Sequence, residues 1–161
     1  MTKLGGIALW AAAIGVFVFS TQDVQAGDPK CAAGSAPAAG ACVACAPGTS
    51  AAAGARACSP CAAGSYADSP GSATCNPCSA GFFAQDKGAT SCRACKPGYA
   101  AKTPGSTACV ACDAGTYAGV IGAATCNACP ANTFSSAAAL ACTACAAGTT
   151  SSAGAPACTK K

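Results

Sequence analysis

The stretch CKPGYAAKTPGSTACVAC, residues 95–112, is the clearest copy of a pattern that fills most of this chain. It runs from the second cysteine of one Cys-x-x-Cys pair to the end of the next pair, with glycines at Gly98 and Gly105. Seven such pairs lie between a lone Cys31 and a lone Cys158, with 12 or 13 residues between successive pairs. A single repeat of 16 or 17 residues is too short to fold alone, so the spacing predicts an array of small stacked units.

Each copy places its residues in the same order. In most copies a glycine follows three residues after the opening cysteine, and a second glycine stands four residues before the closing cysteine. The couple after the first glycine is, in its clearest form, a Ser or Thr followed by an aromatic residue, as in Ser65-Tyr66 and Thr116-Tyr117. Glycines at these points indicate tight chain reversals. In the copy that opens at Cys129, Asn132 replaces the first glycine and Ala138 the second. Asparagine tolerates positive φ well, so Asn132 predicts a left-handed turn there.

The predicted fold is a small disulfide-rich repeat protein, an elongated solenoid of irregular β-hairpin and turn units with little regular secondary structure. Helix is disfavoured because glycines interrupt the chain too often for a 3.6-residue apolar stripe to persist. The aromatics of the couple, Tyr66, Phe83, Tyr117 and Phe134, are expected to pack over the cystines.

The 52% hydrophobic content is mostly alanine and cysteine. Beyond residue 26 we count only 11 large apolar side chains, too few to order the rest of the chain by burial alone. Cross-links or metal ions must therefore contribute much of the stability.

Three interpretations of the cysteines compete. In the first, each cysteine joins the next one along the chain, which uses all 16 and closes eight loops. A loop of about 15 residues contributes ~3 kcal/mol in the chain-entropy model. The predicted bridges are Cys31–Cys42, Cys45–Cys58, Cys61–Cys75, Cys78–Cys92, Cys95–Cys109, Cys112–Cys126, Cys129–Cys142 and Cys145–Cys158.

The other two interpretations use the Cys-x-x-Cys pairs as zinc half-sites or as redox centres. The spacing approaches that of four-thiolate zinc sites. However, seven half-sites do not pair evenly, and Cys31 and Cys158 stay unused. A redox centre needs a helix N-terminus to lower a thiol pKa. We favour structural disulfides, and the connectivity stays open at this stage.

The remaining composition argues against catalysis. The chain has no histidine, and from Gly27 onward it carries eight Lys/Arg against four Asp, scattered rather than arranged in a basic stripe. We find no paired carboxylates, no nucleophile–base couple and no phosphate-binding loop. We therefore predict no enzymatic activity, no metal or organic cofactor and no nucleic-acid partner.

The N-terminus has the features of an export signal. Lys3 precedes an apolar run from Leu4 to Phe19, and Val24-Gln25-Ala26 suits a signal peptidase. We predict a cleaved signal peptide at 1–26, a linker at 27–30, eight cysteine-rich repeats at 31–158 and a tail at 159–161. An uncleaved anchor is the alternative, although the run is shorter than the ~20 residues of a spanning helix. Export places the chain in an oxidising compartment, where disulfides persist.

The phrase Cys95-Lys-Pro-Gly98-Tyr, continued by Gly105-Ser-Thr-Ala-Cys109-Val-Ala-Cys112, resembles the ephrin-receptor-like cysteine-rich repeat. It is also similar to the repeats of ciliate surface immobilisation antigens and, more distantly, to modules of tumour-necrosis-factor receptors. The resemblance covers Cys31 to Cys158. It implies an extended extracellular rod that serves as a stalk, coat or interaction module without enzymatic activity.

We therefore expect a secreted or cell-surface structural protein, a disulfide-stapled rod in a coat, matrix or filament. Its partners would be other proteins or copies of itself, with no membrane contact after signal cleavage. The alternatives are a receptor-like or adhesive module and, less favoured, an exported metal-binding protein. Phe82 and Tyr99 stand one place before the aromatic position, on the opposite face of the strand, and are the candidate partner contacts.

Overall fold

The computed structural model describes residues 30–161, and this part of the chain contains only strands, turns and bends. All but the first two strands are two residues long. The strands are β1 Ser35–Ala38, β2 Ala41–Ala44, β3 Thr49–Ser50, β4 Ser59–Pro60, β5 Ser65–Tyr66, β6 Asn76–Pro77, β7 Phe82–Phe83, β8 Arg93–Ala94, β9 Tyr99–Ala100, β10 Val110–Ala111, β11 Thr116–Tyr117, β12 Asn127–Ala128, β13 Thr133–Phe134, β14 Thr143–Ala144, β15 Thr149–Thr150 and β16 Thr159–Lys160.

The strands pair in sequence order as antiparallel hairpins, β1 with β2, β3 with β4 and so on to β15 with β16. In β5–β6, Ser65 faces Pro77 and Tyr66 faces Asn76. From β4 to β14, the second strand of each hairpin is the two-residue interior of a Cys-x-x-Cys pair. The Cys-x-x-Cys pair therefore supplies one strand of each of these hairpins in addition to linking successive loops.

Disulfides close each hairpin. The eight bridges join consecutive cysteines in the order of the first scheme above, from Cys31–Cys42 to Cys145–Cys158. Their Cα–Cα distances of 5.5–5.7 Å are ordinary for cystines. We number the closed loops as units 1 to 8: residues 31–42, 45–58, 61–75, 78–92, 95–109, 112–126, 129–142 and 145–158.

Backbone hydrogen bonds join each unit to the next. Between units 4 and 5, the N–H of Gly81 donates to the carbonyl of Ala101 at 2.8 Å, and the N–H of Gly105 donates to the carbonyl of Cys78 at 2.8 Å. The same two bonds recur with little change from one junction to the next. Because the connections are repeated and local, the units stack into a continuous solenoid.

The interior consists of sulfur and methyl groups. The opening cysteines of units 2 to 7 are at most 1% exposed, and the residues six places after them are also buried, an alanine such as Ala67 in units 2 to 6 and Ser135 in unit 7. The larger apolar side chains lie mostly outside, since Val110 and Ile121 are both 72% exposed. Cystines therefore take the place of an aliphatic core.

In units 1 to 6, the first glycine also lies close to the backbone of the unit two places further along. A Cβ on Gly81 would lie 2.1 Å from the carbonyl oxygen of Gly122, and the equivalent glycines of units 1 to 6 are equally close to backbone. Units 7 and 8 have no such neighbour within the described chain. There the position is exposed, with Asn132 at φ +64° and nothing within 4 Å of a Cβ on Gly148.

These observations confirm the predicted fold class. Asn132 adopts the left-handed conformation that its sequence position predicted, and Ala138 does so as well, at φ +57°. The predicted signal peptide and all but the last residue of the linker lie outside the described residues. Residues 30–161 contain no helix long and apolar enough to span a bilayer.

Candidate interaction surface

The position four residues after the opening cysteine separates two units from the other six. In those six a Ser or Thr stands there, and its hydroxyl donates to the carbonyl three residues earlier, as Thr116 does to Asp113 at 2.8 Å. Units 4 and 5 carry Phe82 and Tyr99 instead. These two units therefore lack the side-chain hydroxyl bond that the other six units make, and they place aromatic rings on the outer surface instead.

Three grooves open along the same face, each at the junction of two successive units. The neutral groove, between units 3 and 4, is lined by Tyr66, Ser79, Phe82, Ser91 and Cys92. The cationic groove, between units 4 and 5, is lined by Phe83, Arg93, Ala94, Lys96, Tyr99, Ala108 and Cys109. The aliphatic groove, between units 5 and 6, is lined by Ala100, Lys102, Val110, Ala111, Asp113, Thr116, Ala124, Thr125 and Cys126.

The three grooves are equivalent positions in successive repeats. Tyr66, Phe83 and Ala100 occupy one wall, and Phe82, Tyr99 and Thr116 occupy the other. The closing cysteine of the following unit lines each of them. The volumes are about 280, 320 and 500 Å³. The aliphatic groove has the largest volume of the three because Ala100 and Thr116 stand where the other two grooves have rings.

The cationic groove holds two positive side chains on its aromatic walls. The Arg93 guanidinium carbon lies 5.6 Å from the centroid of the Phe83 ring, and the Lys96 ammonium lies 4.4 Å from that of Tyr99. Both distances are within the range of cation–π attraction. Neither cation has a carboxylate partner among the described residues. The rings therefore hold two positive charges at one site, and Arg93 also lines an adjoining depression that contains Asp86 and Lys87.

The candidate contacts Phe82 and Tyr99 both line this face, Phe82 being 39% exposed and Tyr99 half-buried. Within one strand Phe82 and Phe83 occupy alternate positions, as the sequence implies. Stacking of the units nevertheless brings Tyr66 and Phe82 into one groove, because each groove combines walls from two repeats. Tyr66 shares that groove with Cys92, a cystine of the next unit.

Sequence reasoning missed Arg93, Lys96 and Val110 as groove residues. The charges looked scattered along the chain, but Arg93 lies within one Cys-x-x-Cys pair, Lys96 directly follows it, and both line the groove at one junction. A usable signal was present, since this pair alone, Cys92/Cys95, has a basic residue both within it and directly after it.

The sulfur atoms offer no thiolate chemistry in this form. Every cysteine of residues 30–161 is bridged, and this part of the chain has no cluster of three or more His, Cys, Asp or Glu side chains placed to hold a metal ion. The arrangement presents one neutral, one cationic and one mainly apolar groove on a cross-linked support, which is suited to binding or packing.

Comparison with known families gives one match. The model described as tyrosine-protein kinase ephrin type A/B receptor-like matches residues 48–95, 64–108 and 98–139, together more than half of the chain. A search of curated proteins found no match. Repeats of the matched family are non-catalytic extracellular modules with binding or structural roles. Three overlapping matches and eight consecutive disulfides show that the chain belongs to the ephrin-receptor-like family of cysteine-rich repeat proteins.

Proposed function

We propose that this protein is a secreted or cell-surface structural rod that forms part of a coat, matrix or filament and has no enzymatic activity. The observation that carries the proposal is the unbroken repetition of disulfide and inter-unit hydrogen bonds from unit 1 to unit 8. We expect a chain connected in this way to resist bending and unfolding from unit 1 to unit 8. Such rigidity suits a structural scaffold better than it suits a binding or catalytic site that must change conformation.

An exposed aliphatic patch supports association between copies. Val120, Ile121 and Leu140 are 65%, 72% and 57% exposed. The backbone brings them together, because a Cβ on Gly119 would lie 3.0 Å from the carbonyl oxygen of Leu140. Unit 4 has Asp86 and Lys87 where unit 6 has Val120 and Ile121. Exposed apolar patches of this kind commonly mark contact sites.

Sedimentation velocity over a wide concentration range tests the assembly, and labelling of intact producing cells with a membrane-impermeant reagent tests the location. We expect an elongated particle, reversible oligomers that the double change Val120→Ser and Ile121→Ser abolishes, and label on the protein at the surface or in the medium. A compact monomer at every concentration, or a protein found only inside the cells, would contradict the proposal.

The second candidate function is an adhesive or receptor-like module. The three-groove face favours it, because within residues 30–161 the paired cation–ring contacts lie at one junction of this face, between units 4 and 5. An affinity capture that finds one stoichiometric ligand lost on changing Tyr99→Ser, but retained on changing Tyr117→Ser, would support this function.

A further inference from the structure

We infer that the face formed by the cationic and aliphatic grooves binds an extended peptide segment of a partner protein, with an acidic side chain seated at Arg93 and Lys96 and an aliphatic side chain in the adjoining groove. This goes beyond the scaffold role. A rod that assembles with its copies and binds no such peptide leaves the proposed function intact.

The positive charge of the cationic groove favours an acidic side chain as the first part of the ligand. Arg93 and Lys96 lie on the walls of one groove, held against Phe83 and Tyr99, and no carboxylate lines that groove. Fixing the cations on rings before binding reduces the side-chain entropy that a ligand must overcome. Hydrogen bonds from ionised donors to a carboxylate are among the strongest available to a surface site. The groove volume of about 320 Å³ accommodates a side chain rather than a folded element.

The apolar lining of the aliphatic groove favours an aliphatic side chain as the second part of the ligand. Ala100, Val110, Ala111 and Ala124 contribute methyl groups to its lining, and its single cation, Lys102, is accompanied by Asp113. A sulfated sugar chain would satisfy the cations but leave these apolar walls without a complement. A peptide that carries both a carboxylate and a branched aliphatic side chain complements both grooves.

The partner is a different protein rather than a second copy. The chain carries a net charge of +4 and only five acidic residues, so two copies repel one another at a basic site. An acidic segment of another protein is attracted to it. The equivalent position of the two grooves in successive repeats requires that the segment run along the rod, in extended form.

Labelled model peptides test the inference directly. The probes are fluorescein-labelled Ser/Gly peptides that carry one Glu and one Leu at i and i+2, i and i+4, or i and i+6, since residues at even spacing share one face of an extended chain. The matched control peptides have Gln for Glu or Ser for Leu. Binding is followed by fluorescence anisotropy at low and moderate salt, and a heparin-derived oligosaccharide serves as the competing class of ligand.

Protein variants locate the binding. The double change Arg93→Gln and Lys96→Gln is compared with Arg56→Gln and Lys160→Gln, which removes the same charge at exposed positions outside the grooves. Val110→Ser is compared with Val43→Ser, an exposed valine of β2. We expect about a tenfold or greater weakening for the first double change and roughly threefold for Val110→Ser, with little effect of either control. Intact mass and near-ultraviolet circular dichroism establish that each variant keeps its disulfides and fold.

Binding of one Glu-Leu spacing, lost with both control peptides and weakened by the groove variants, would support the inference. Failure of every Glu-Leu peptide to bind up to about 1 mM would overturn it. So would equal weakening by the two double changes, or binding of the oligosaccharide in place of the peptides. Surface labelling and sedimentation report on the scaffold role separately.

Discussion

Replacing Gly81 by alanine should destabilise the middle of the rod, whereas the same change at Gly148 should be mild. The two glycines occupy the same place in their units and have similar backbone angles, φ +86° and +78°. They differ in what faces them. A Cβ on Gly81 would lie 2.1 Å from the carbonyl oxygen of Gly122 and 2.8 Å from its carbonyl carbon, whereas one on Gly148 would meet nothing within 4 Å.

The magnitude follows from these contacts. A left-handed alanine costs about 1–2 kcal/mol at either site, and the protein already accepts it at Ala138. At Gly81 the backbone of unit 6 must also retreat by roughly 1 Å to restore van der Waals separation. That movement weakens the bonds from Gly81 to Ala101 and from Gly122 to Cys95, both 2.8 Å long. Each weakened bond costs about 1 kcal/mol. Together with the backbone strain, Gly81→Ala should lower the free energy of unfolding by roughly 3–4 kcal/mol.

Native-state hydrogen exchange measures the difference residue by residue. For Gly81→Ala we expect amide protection in units 4 to 6, including the amide of Gly122, to fall by roughly 100-fold or more. For Gly148→Ala the loss should stay in unit 8 and not exceed about 30-fold. Equal and modest losses in the two variants would refute the reasoning, because they would mean that backbone strain alone, and not contact between units, makes glycine necessary.

Three further outcomes follow from the same structure. Reduction should raise the intact mass by about 16 Da and abolish the near-ultraviolet signal of the tyrosines, and a reduced chain that keeps this signal would contradict a cystine core. Ser135→Ala should lower the free energy of unfolding, measured by chemical denaturation, by about 0.5–1.5 kcal/mol. The reason is that the buried Ser135 hydroxyl donates to the carbonyl of Thr116 at 2.9 Å. Ser136→Ala, at an exposed serine, is the control and should change stability little. Asn132→Gly should shift Tm by no more than about 4 °C, since relief of positive φ offsets the lost 2.7 Å bond from the Thr150 hydroxyl. A large loss of stability would show that Asn132 has a further structural role.

Much of the fold could be predicted because the cysteine spacing is so regular. Consecutive pairing uses every cysteine, and the glycine positions mark the turns, as the positive φ values at Gly64 and Gly98 show. The candidate surface was predicted only in part. Phe82 and Tyr99 were identified from their place in the repeat, but Arg93 and Lys96 were not, because whether they face one groove depends on how two units stack.

Sequence alone determined the repeating unit and its turns and favoured the disulfide that closes it, since each depends on residues within about 15 positions of one another. Tertiary structure decided what each turn residue faces. The sequence explains Asn132 as a turn former, but not why asparagine appears in unit 7 and glycine in units 1 to 6. In those six units a carbonyl two units further along occupies the place of a Cβ, and in unit 7 of the described chain that place is open. A contact across two repeats arises from the rise and rotation of the solenoid, which no single repeat encodes.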